Sequence, residues 1–321
     1  MTSLPSVSVL FVTKNGERYL DEVLRSVRAQ RGQFRVIEIL AVDSGSRDRT
    51  LAILESHAVR VIRIPPQEFG HGKTRNLAAA QARGDYLVFL TQDATPANTD
   101  WLDTLLTPLR ADPAIAGAYS RHLPRPHCHP MEWRRIVEDE LSGRSESCLN
   151  SGQTPDYADN PAYFYFFSNV SSALRRRVWQ EIPFPEVEFA EDQLWAKSVL
   201  EAGYQTVYRA DSLVYHSHAY GPWMNLRRHF DHAQAVSDLN QASHLSGWHL
   251  LPMAWRVARR DLSFWRWLKR QGRLRVGLRW GSLALAWHFA ALWGIWLGER
   301  KHTLAPSLVR RLSLQESIKR Q

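Results

Sequence analysis

Short apolar runs alternate with amphipathic stretches over the first 90 residues, and this alternation limits the possible folds more than any other feature of the sequence. The β-branched, apolar runs predict buried strands at 7–13, 35–43, 59–64 and 86–90. Apolar residues at helical spacing, or cap-type residues ahead of apolar ones, predict helices at 17–30, 44–57 and 73–82. This repeat is typical of an α/β fold with a mostly parallel sheet flanked by helices.

Polar residues follow each predicted strand at the point where it ends. Thr13 ends the first strand and Asp43 the second, while the third leads into PPQEFGHGKTRN (65–76) and the fourth into TQDATP (91–96). An aspartate at a single strand end is equally a good turn residue. Parallel strands, however, bring their carboxyl ends to one edge, where such sheets bind ligands. The four clusters together predict a site for a polar ligand at that edge.

Several classes of protein lack support in this sequence. It contains neither G-x-G-x-x-G nor G-x-x-x-x-G-K-[ST], so neither a dinucleotide-binding loop nor a P-loop is expected. Two cysteines, Cys128 and Cys148, provide no disulfide framework and no metal-finger spacing. The first 16 residues lack the basic and apolar regions of a signal peptide, so none is expected.

The composition changes near residue 245. Residues 246–321 hold 15 Lys and Arg against three acidic residues, and eight of the 13 tryptophans. Residues 1–245 carry 26 basic and 29 acidic residues and are close to neutral. We therefore predict an α/β domain at 1–245 and a basic, Trp-rich helical extension at 246–321.

The extension has features of a membrane-interface segment. Residues 264–280 predict an amphipathic helix with one cationic face, formed by Arg266, Lys269, Arg270 and Arg273. Residues 280–297 then run 18 positions without a formal charge, at the lower length limit for a bilayer span. Tryptophans beside arginines favour peripheral attachment. A true span and a helix packed on protein remain alternatives.

Four stretches in this order resemble the family 2 glycosyltransferases with the GT-A fold. They are VSVLFVTKNGERYLDEVLRSVRAQ, EILAVDSGSRDRTLAIL, GKTRNLAAAQARGDYLVFLTQDATP and FAEDQLWAKSVLEAGYQTVY, within residues 7–220. FGHGKTRN, TQDATP and YHSHAY most resemble the rhamnosyltransferase branch, which uses dTDP-L-rhamnose. The resemblance implies a Rossmann-like sheet and an inverting sugar transfer.

The resemblance also implies which residues hold the nucleotide-sugar. Thr13 and Asn15 would line the nucleotide pocket, and the carboxylate of Asp43 would accept a hydrogen bond from the pyrimidine N–H. Arg75, expected on the loop after the third strand, would contact the nucleotide or its diphosphate, because its fork of donors fits phosphate oxygens. His71 would touch the sugar or diphosphate. A solvated helix face for Arg75 and a simple glycine turn around His71 are the alternatives.

Asp93 matches the last Asp of the family's D-x-D-type signature, but Gln92 stands where a second acid is common; the resemblance assigns both residues to the nucleotide-sugar site. A divalent cation there would neutralise the diphosphate. Mg²⁺ and Mn²⁺ both prefer oxygen ligands, and Mn²⁺ tolerates imidazole better. The resemblance implies that a late histidine completes the shell, and we favour His218 over His216. Ordinary surface or core histidines are the alternative.

Glu191 and Asp192 precede a predicted helix. The resemblance implies that Asp192 is the general base for the acceptor hydroxyl, with Glu191 as support or acceptor contact. A direct displacement helped by one base inverts the anomeric centre and requires no covalent nucleophile. Acidic residues also favour helix N-termini for structural reasons alone.

The sequence thus predicts a cytoplasmic glycosyltransferase attached to the cytoplasmic face of the membrane. Its partners would be a nucleotide-sugar donor, with dTDP-rhamnose favoured, and a glycan or lipid-linked acceptor. An oligomer is compatible with the sequence, and no nucleic-acid partner is expected. Another UDP- or GDP-sugar as donor, a nucleotidyltransferase on a similar sheet, and a non-enzymatic basic membrane-binding protein are the alternatives.

Overall fold

A computed structural model describes residues 4–139, 141–187, 190–238, 247–270, 272 and 274–314. It also describes the side chains of these residues, except those of 234–238, 262–268 and 274–282. The strands are β1 Ser6–Thr13, β2 Arg35–Asp43, β3 Arg60–Arg63, β4 Tyr86–Leu90, β5 Thr95–Pro96, β6 Ile115–Leu123, β7 Cys148–Ser151, β8 Ser171–Arg175 and β9 Gln205–Tyr215. The helices are α1 Leu20–Arg28, α2 Thr50–Ser56, α3 His71–Gln81, α4 Trp101–Ala111, α5 Pro130–Val137, α6 Pro161–Phe164, α7 Arg176–Glu181, α8 Glu191–Glu201, α9 Pro222–Asp238, α10 Leu250–Arg270, α11 Leu274–Gly298 and α12 Pro306–Leu312.

These elements divide into two compact units. The sheet unit comprises Met1–Leu123, Glu138–Val187 and Glu191–His216, and the helical unit comprises Pro124–Val137, Glu188–Ala190 and Ser217–Gln321. The boundary predicted between residues 245 and 246 lies outside the described residues and stays a prediction.

The first four strands and three helices confirm the pattern predicted from the sequence. Strands β1 and β2 run parallel, with one register shift between Val7 and Ser8, and Thr13 lies opposite Asp43. Helix α1 buries the apolar stripe formed by Leu20, Val23, Leu24 and Val27. Burying each of these side chains stabilises the fold by roughly 1.5–3 kcal/mol.

The sheet order is β3-β2-β1-β4-β8-β6-β9-β5, with β7 also paired to β9. Pairing is parallel from β3 to β4 and between β6 and β9, but antiparallel on both sides of β8. The carboxyl ends of β1, β2, β3, β4, β6 and β9 therefore share one edge with the amino end of β8. This mixed half of the sheet lies beyond the segment whose alternation predicts parallel strands.

The helical unit contains α5 and α9–α12. Helix α11 approaches α9 closely, because an added Cβ at Gly294 would lie 2.3 Å from the Leu226 carbonyl oxygen and one at Gly298 would lie 2.4 Å from that of Phe230. Among the described residues, no helix is both long and apolar enough to cross a bilayer. The side chains predicted to form the cationic face of 264–280 lie partly outside the described residues.

Candidate active site

Asp43 ends β2 with its carboxylate held by four hydrogen bonds. One carboxylate oxygen accepts the backbone N–H groups of Gly45 and Ser46 at 3.0 and 2.9 Å. The other accepts the hydroxyl of Thr13 at 3.0 Å and that of Ser46. The carboxylate is thereby fixed at the sheet edge, facing hydroxyl groups that can rotate to accommodate a ligand donor.

The turn after β1 is tied to the turn after β2 by Asn15. Its backbone has a φ of 48°, in the left-handed region that Asn tolerates better than most residues. Its N–H donates to the Ser46 hydroxyl, and its side-chain oxygen accepts the Arg47 N–H, both at 2.9 Å. Thr13, Asn15 and Asp43, predicted to line one pocket, are thus brought together.

Gln92 uses its side-chain amide to hold Lys14. The amide oxygen accepts the Lys14 N–H at 3.0 Å, and the amide nitrogen donates to the Lys14 carbonyl at 2.9 Å. A Cβ at Gly16 would lie 2.4 Å from the Gln92 amide oxygen, so any other residue there would displace the Gln92 side chain. The residue predicted to contact the nucleotide-sugar therefore braces the turn between β1 and α1, which a carboxylate could not do because it lacks a donor.

Asp93, His216 and His218 form a group able to hold a metal ion. The Asp93 carboxylate lies 3.6 Å from Nε2 of His216, the residue that follows β9. One ligand atom from each of the three residues lies within 4.8 Å of the others. A carboxylate with two imidazoles fits Mn²⁺ better than Mg²⁺. The structure brings together all three residues predicted to bind metal.

Asp192 and Glu191 occupy the first turn of α8 and are both held by Asn169. The Asn169 N–H donates to the Asp192 carboxylate at 3.0 Å, and its side-chain nitrogen donates to Glu191 at 3.3 Å. Ser172 fixes the Asn169 side chain by donating to its oxygen at 2.8 Å. Glu191 is buried, whereas Asp192 is partly exposed, so Asp192 is the one accessible to an acceptor.

Arg75 lies within α3 rather than on the loop predicted for it, because α3 begins at His71. Its guanidinium forms a 2.7 Å ion pair with Glu191, and the two side chains are only 10% and 5% exposed. Nδ1 of His71 lies 3.3 Å from the same guanidinium. The Arg75 guanidinium, expected to face a diphosphate, therefore directs one of its nitrogen atoms to the Glu191 carboxylate.

Gly72 permits this arrangement. A Cβ at this position would lie 2.0 Å from the Pro185 carbonyl oxygen and 3.4 Å from Cβ of Glu191. The glycine therefore serves close packing of α3 against the segment before α8.

The two acidic residues have pKa values shifted in opposite directions. Burial, followed by the neighbouring charge of Glu191, raises the pKa of Asp192 to about 7, from an ordinary value near 4. Burial acts in the same direction on Glu191, but the charges of Arg75 and His71 outweigh it and hold the pKa of Glu191 below its usual range. At neutral pH Glu191 is ionised, and Asp192 can take up or release a proton.

The pairing of β4 with β8 places Asn169, which holds the acidic pair, close to the residues that follow β4. Leu90 at the end of β4 lies opposite Ser171 at the start of β8, and the Thr91 N–H donates to the Val170 carbonyl at 3.0 Å. Asn169 therefore lies at the same sheet edge as the residues that follow β4. Thr13 with Asp43, Asp93 with His216, and the acidic pair all belong to this edge.

Two residues of the site were missed by sequence reasoning. Ser46 lies in the SGSRD turn, where three small or polar residues follow Asp43 and signal a side-chain-capped turn. Asn169 lies in SNVSS, where a polar pair separates an aromatic run from a strand of small residues. Both signals are local, but neither shows which distant carboxylate the residue contacts.

Known proteins share this sequence pattern over most of the chain. The family model for Glycosyl transferase family 2 matches residues 8–170. The O-antigen chain rhamnosyltransferase WbaN of Salmonella anatum is 33% identical over 232 residues, which are 71% of each chain. The O-antigen chain rhamnosyltransferase RfbN of Salmonella typhimurium is 31% identical over 229 residues, which are 70% of each chain.

Solved structures share the fold. The mannosyltransferase PcManGT of Pyrobaculum calidifontis, solved with GDP-Man and Mn²⁺, has a TM-score of 0.56 at 17% identity and covers 92% of this chain and 88% of its own. TarS 1–349 of Staphylococcus aureus has a TM-score of 0.52 at 18% identity, over 93% of this chain and 91% of its own. The predicted GT-A fold is confirmed. The protein is a glycosyltransferase and belongs to glycosyl transferase family 2.

Proposed function

We propose that the protein is an inverting rhamnosyltransferase, which moves L-rhamnose from dTDP-L-rhamnose to a hydroxyl group of a lipid-linked or cell-surface glycan. The observation that carries the proposal is the partly exposed carboxylate of Asp192 with a pKa of about 7, at the sheet edge where family 2 motifs converge. A base with a pKa near the working pH is the best suited to proton abstraction. The two rhamnosyltransferase relatives support the choice of sugar.

Asp192 acts as the general base in this proposal. Its carboxylate takes the proton of the acceptor hydroxyl while that oxygen forms a bond to the anomeric carbon. The bond from the anomeric carbon to the diphosphate breaks in the same displacement, the nucleoside diphosphate leaves with the bonding electrons, and the configuration inverts. Glu191, held by Arg75 and Asn169, keeps the base in position and increases its basicity.

Asp43, Thr13 and Asn15 form the nucleotide pocket in this proposal. For Asp43 to accept the pyrimidine N–H, the hydroxyl of Thr13 or Ser46 must turn away, which costs little because both hydroxyl groups can rotate. Gln92 contributes indirectly, since it braces the backbone of Lys14 between these residues. His71 and Arg75 lie on the side of the acidic pair and would contact the sugar from there.

We propose that Asp93, His216 and His218 hold Mn²⁺, or less well Mg²⁺. Their donor set, one carboxylate and two imidazoles, suits Mn²⁺ better than Mg²⁺, because Mn²⁺ tolerates imidazole ligands better. The bound ion would neutralise diphosphate charge and stabilise the leaving group. Asp93 supplies the oxygen ligand, and the two histidines supply nitrogen ligands from the segment that continues β9.

We propose that the enzyme works in the cytoplasm, peripherally on the cytoplasmic face of the inner or plasma membrane. A lipid-linked acceptor lies in that surface, so attachment raises the local concentration of acceptor. The 15 basic and three acidic residues of 246–321 support attraction to anionic lipid. An oligomer is compatible with this arrangement.

Release of nucleoside diphosphate by purified protein tests the proposed reaction. Donors would be dTDP-L-rhamnose, UDP-glucose, UDP-galactose and GDP-mannose, with Mn²⁺, Mg²⁺ or EDTA and a lipid-linked glycan fraction as acceptor. We expect release of dTDP that depends on the acceptor and is strongest with Mn²⁺. Asp192→Asn should reduce the rate by about 10²–10⁴-fold, whereas Asp159→Asn, at an exposed turn, should not.

The outcomes separate the alternatives. Faster turnover of a UDP- or GDP-sugar would support glycosyl transfer but show that dTDP-L-rhamnose is not the preferred donor. Release of nucleoside diphosphate that is unchanged by EDTA would contradict the proposed role of a metal ion. Full activity of Asp192→Asn would exclude Asp192 as the base, and no release with any of the four donors would overturn the proposed rhamnosyl transfer and point to another donor or acceptor.

A further inference from the structure

The exposed face of α10 combines tryptophans with arginines. Trp248, in the short helical turn before α10, is 92% exposed, and Trp255 is 56% exposed. Leu251 and Arg259 are also exposed and lie four residues before and four residues after Trp255, so the three share one side of the helix. Arg256 is exposed beside them. Large apolar side chains seldom cluster at the surface without a partner.

The charge on this face has a single sign. The one acidic residue of α10, Asp261, is buried and lies 2.7 Å from Nε2 of His288 and 2.7 Å from Nε of Arg134. The exposed charged residues described on α10 are all cationic: Arg256, Arg259, Arg260, Lys269 and Arg270. The face therefore complements an anionic surface.

The apolar stretch of α11, by contrast, is used inside the helical unit. Trp287 and Ala290 are buried, and Gly294 packs against the backbone of α9 at Leu226. The indole N–H of Trp287 donates to the Tyr220 carbonyl at 3.0 Å. One side of this stretch, predicted to lie on the membrane, therefore packs on protein, while Leu283 and Trp293 on α11 remain exposed.

We propose that the α10 face, formed by Trp248, Leu251, Trp255, Arg256 and Arg259, docks on the anionic surface of a lipid bilayer. Indole rings favour the membrane–water interface, and each arginine near an anionic leaflet adds attraction. A second copy of the chain fits less well, because self-pairing of this face would place arginines against arginines. The inference rests on the proposed peripheral attachment, and it does not depend on the donor sugar.

Sedimentation with vesicles tests this surface. The full chain would be mixed with phosphatidylglycerol–phosphatidylethanolamine vesicles or with phosphatidylcholine vesicles. We expect binding to the anionic vesicles alone, weakened in 0.5 M salt. The variant Trp248→Ala/Trp255→Ala should bind about tenfold more weakly, and Arg256→Glu/Arg259→Glu about 30-fold or more.

Trp223→Ala is the matched control, because Trp223 is 50% exposed in the same unit but lies on α9. It should change vesicle binding by less than about twofold. Melting temperature, and dTDP release measured with a water-soluble glycan acceptor, should be unchanged in both double variants, which separates docking from folding and from chemistry.

Wild-type protein that does not bind anionic vesicles would overturn both the proposed membrane attachment and the proposed docking face. Binding kept by both double variants would overturn the surface alone. A change of oligomeric state in sedimentation of the tryptophan variant would assign the face to a second copy of the chain.

Discussion

Replacing Glu191 by glutamine tests whether its charge controls the proposed base. A like charge within about 4–6 Å moves a pKa by roughly 1–3 pH units, and burial contributes more to the raised pKa of Asp192 than Glu191 does. We therefore expect the low end of that range. The variant also leaves Arg75 without its ionic partner near Asp192, which lowers the pKa of Asp192 further. The midpoint of the acidic limb of the pH–rate profile should therefore move from about pH 7 to about pH 6 or below.

The limiting rate should fall together with the limb. A base whose pKa is lower removes a proton less readily, and Brønsted behaviour converts this loss into a smaller kcat at high pH. Glu191→Gln should therefore be relatively more active below pH 6 and less active above pH 8 than the wild type. A variant that merely loosens the structure would lose activity at every pH.

The assay is the initial rate of dTDP release between pH 5 and pH 9, with saturating donor. Glu186→Gln makes the same chemical change at an exposed position of the segment before α8, and its profile should match the wild type. An acidic limb that stays in place or rises in Glu191→Gln would refute the reasoning, because Asp192 would then not respond to its neighbour's charge.

Two further predictions concern the backbone that supports the site. Gly72→Ala should lower the free energy of unfolding by about 1–3 kcal/mol, because the new Cβ meets the Pro185 carbonyl oxygen. Thermal unfolding measures this loss, and Gly221→Ala is the control because Gly221 has open space around it. Gln92→Glu should lower it by about 1 kcal/mol, because a carboxylate cannot donate to the Lys14 carbonyl. Urea unfolding that leaves Gln92→Glu as stable as the wild type would contradict the bracing role.

Sequence pattern was sufficient for the elements before residue 91, because each buried strand or helix there has its own apolar period. Strand β1 and helix α1 were predicted within a few residues of their observed ends. The antiparallel insertion of β8 between β4 and β6 was not predicted, since period and composition do not specify a partner strand.

For the candidate site too, the sequence indicated which residues lie at the sheet edge but not which residues they contact. Residue types at strand ends indicated which side chains reach the edge, and the structure brings Thr13, Asn15 and Asp43 together. The partner of Arg75 was not evident, because an arginine that follows a strand suits a phosphate or a carboxylate equally well. Only the close packing of α3 and α8 at Gly72 shows that Glu191 is that partner.

The candidate metal ligands Asp93 and His216 show how a two-residue strand can bring distant side chains together. Strand β5 pairs antiparallel with the end of β9, and Thr95 lies opposite Tyr215. Because the strands are antiparallel, the residues before Thr95 and the residues after Tyr215 extend in the same direction. Asp93 and His216 therefore meet, although 122 residues separate them. Because the Gln92 amide braces Lys14, the proposed cation would rely on Asp93 as the remaining acid of the D-x-D-type signature, and on the histidines after β9 in place of the missing carboxylate.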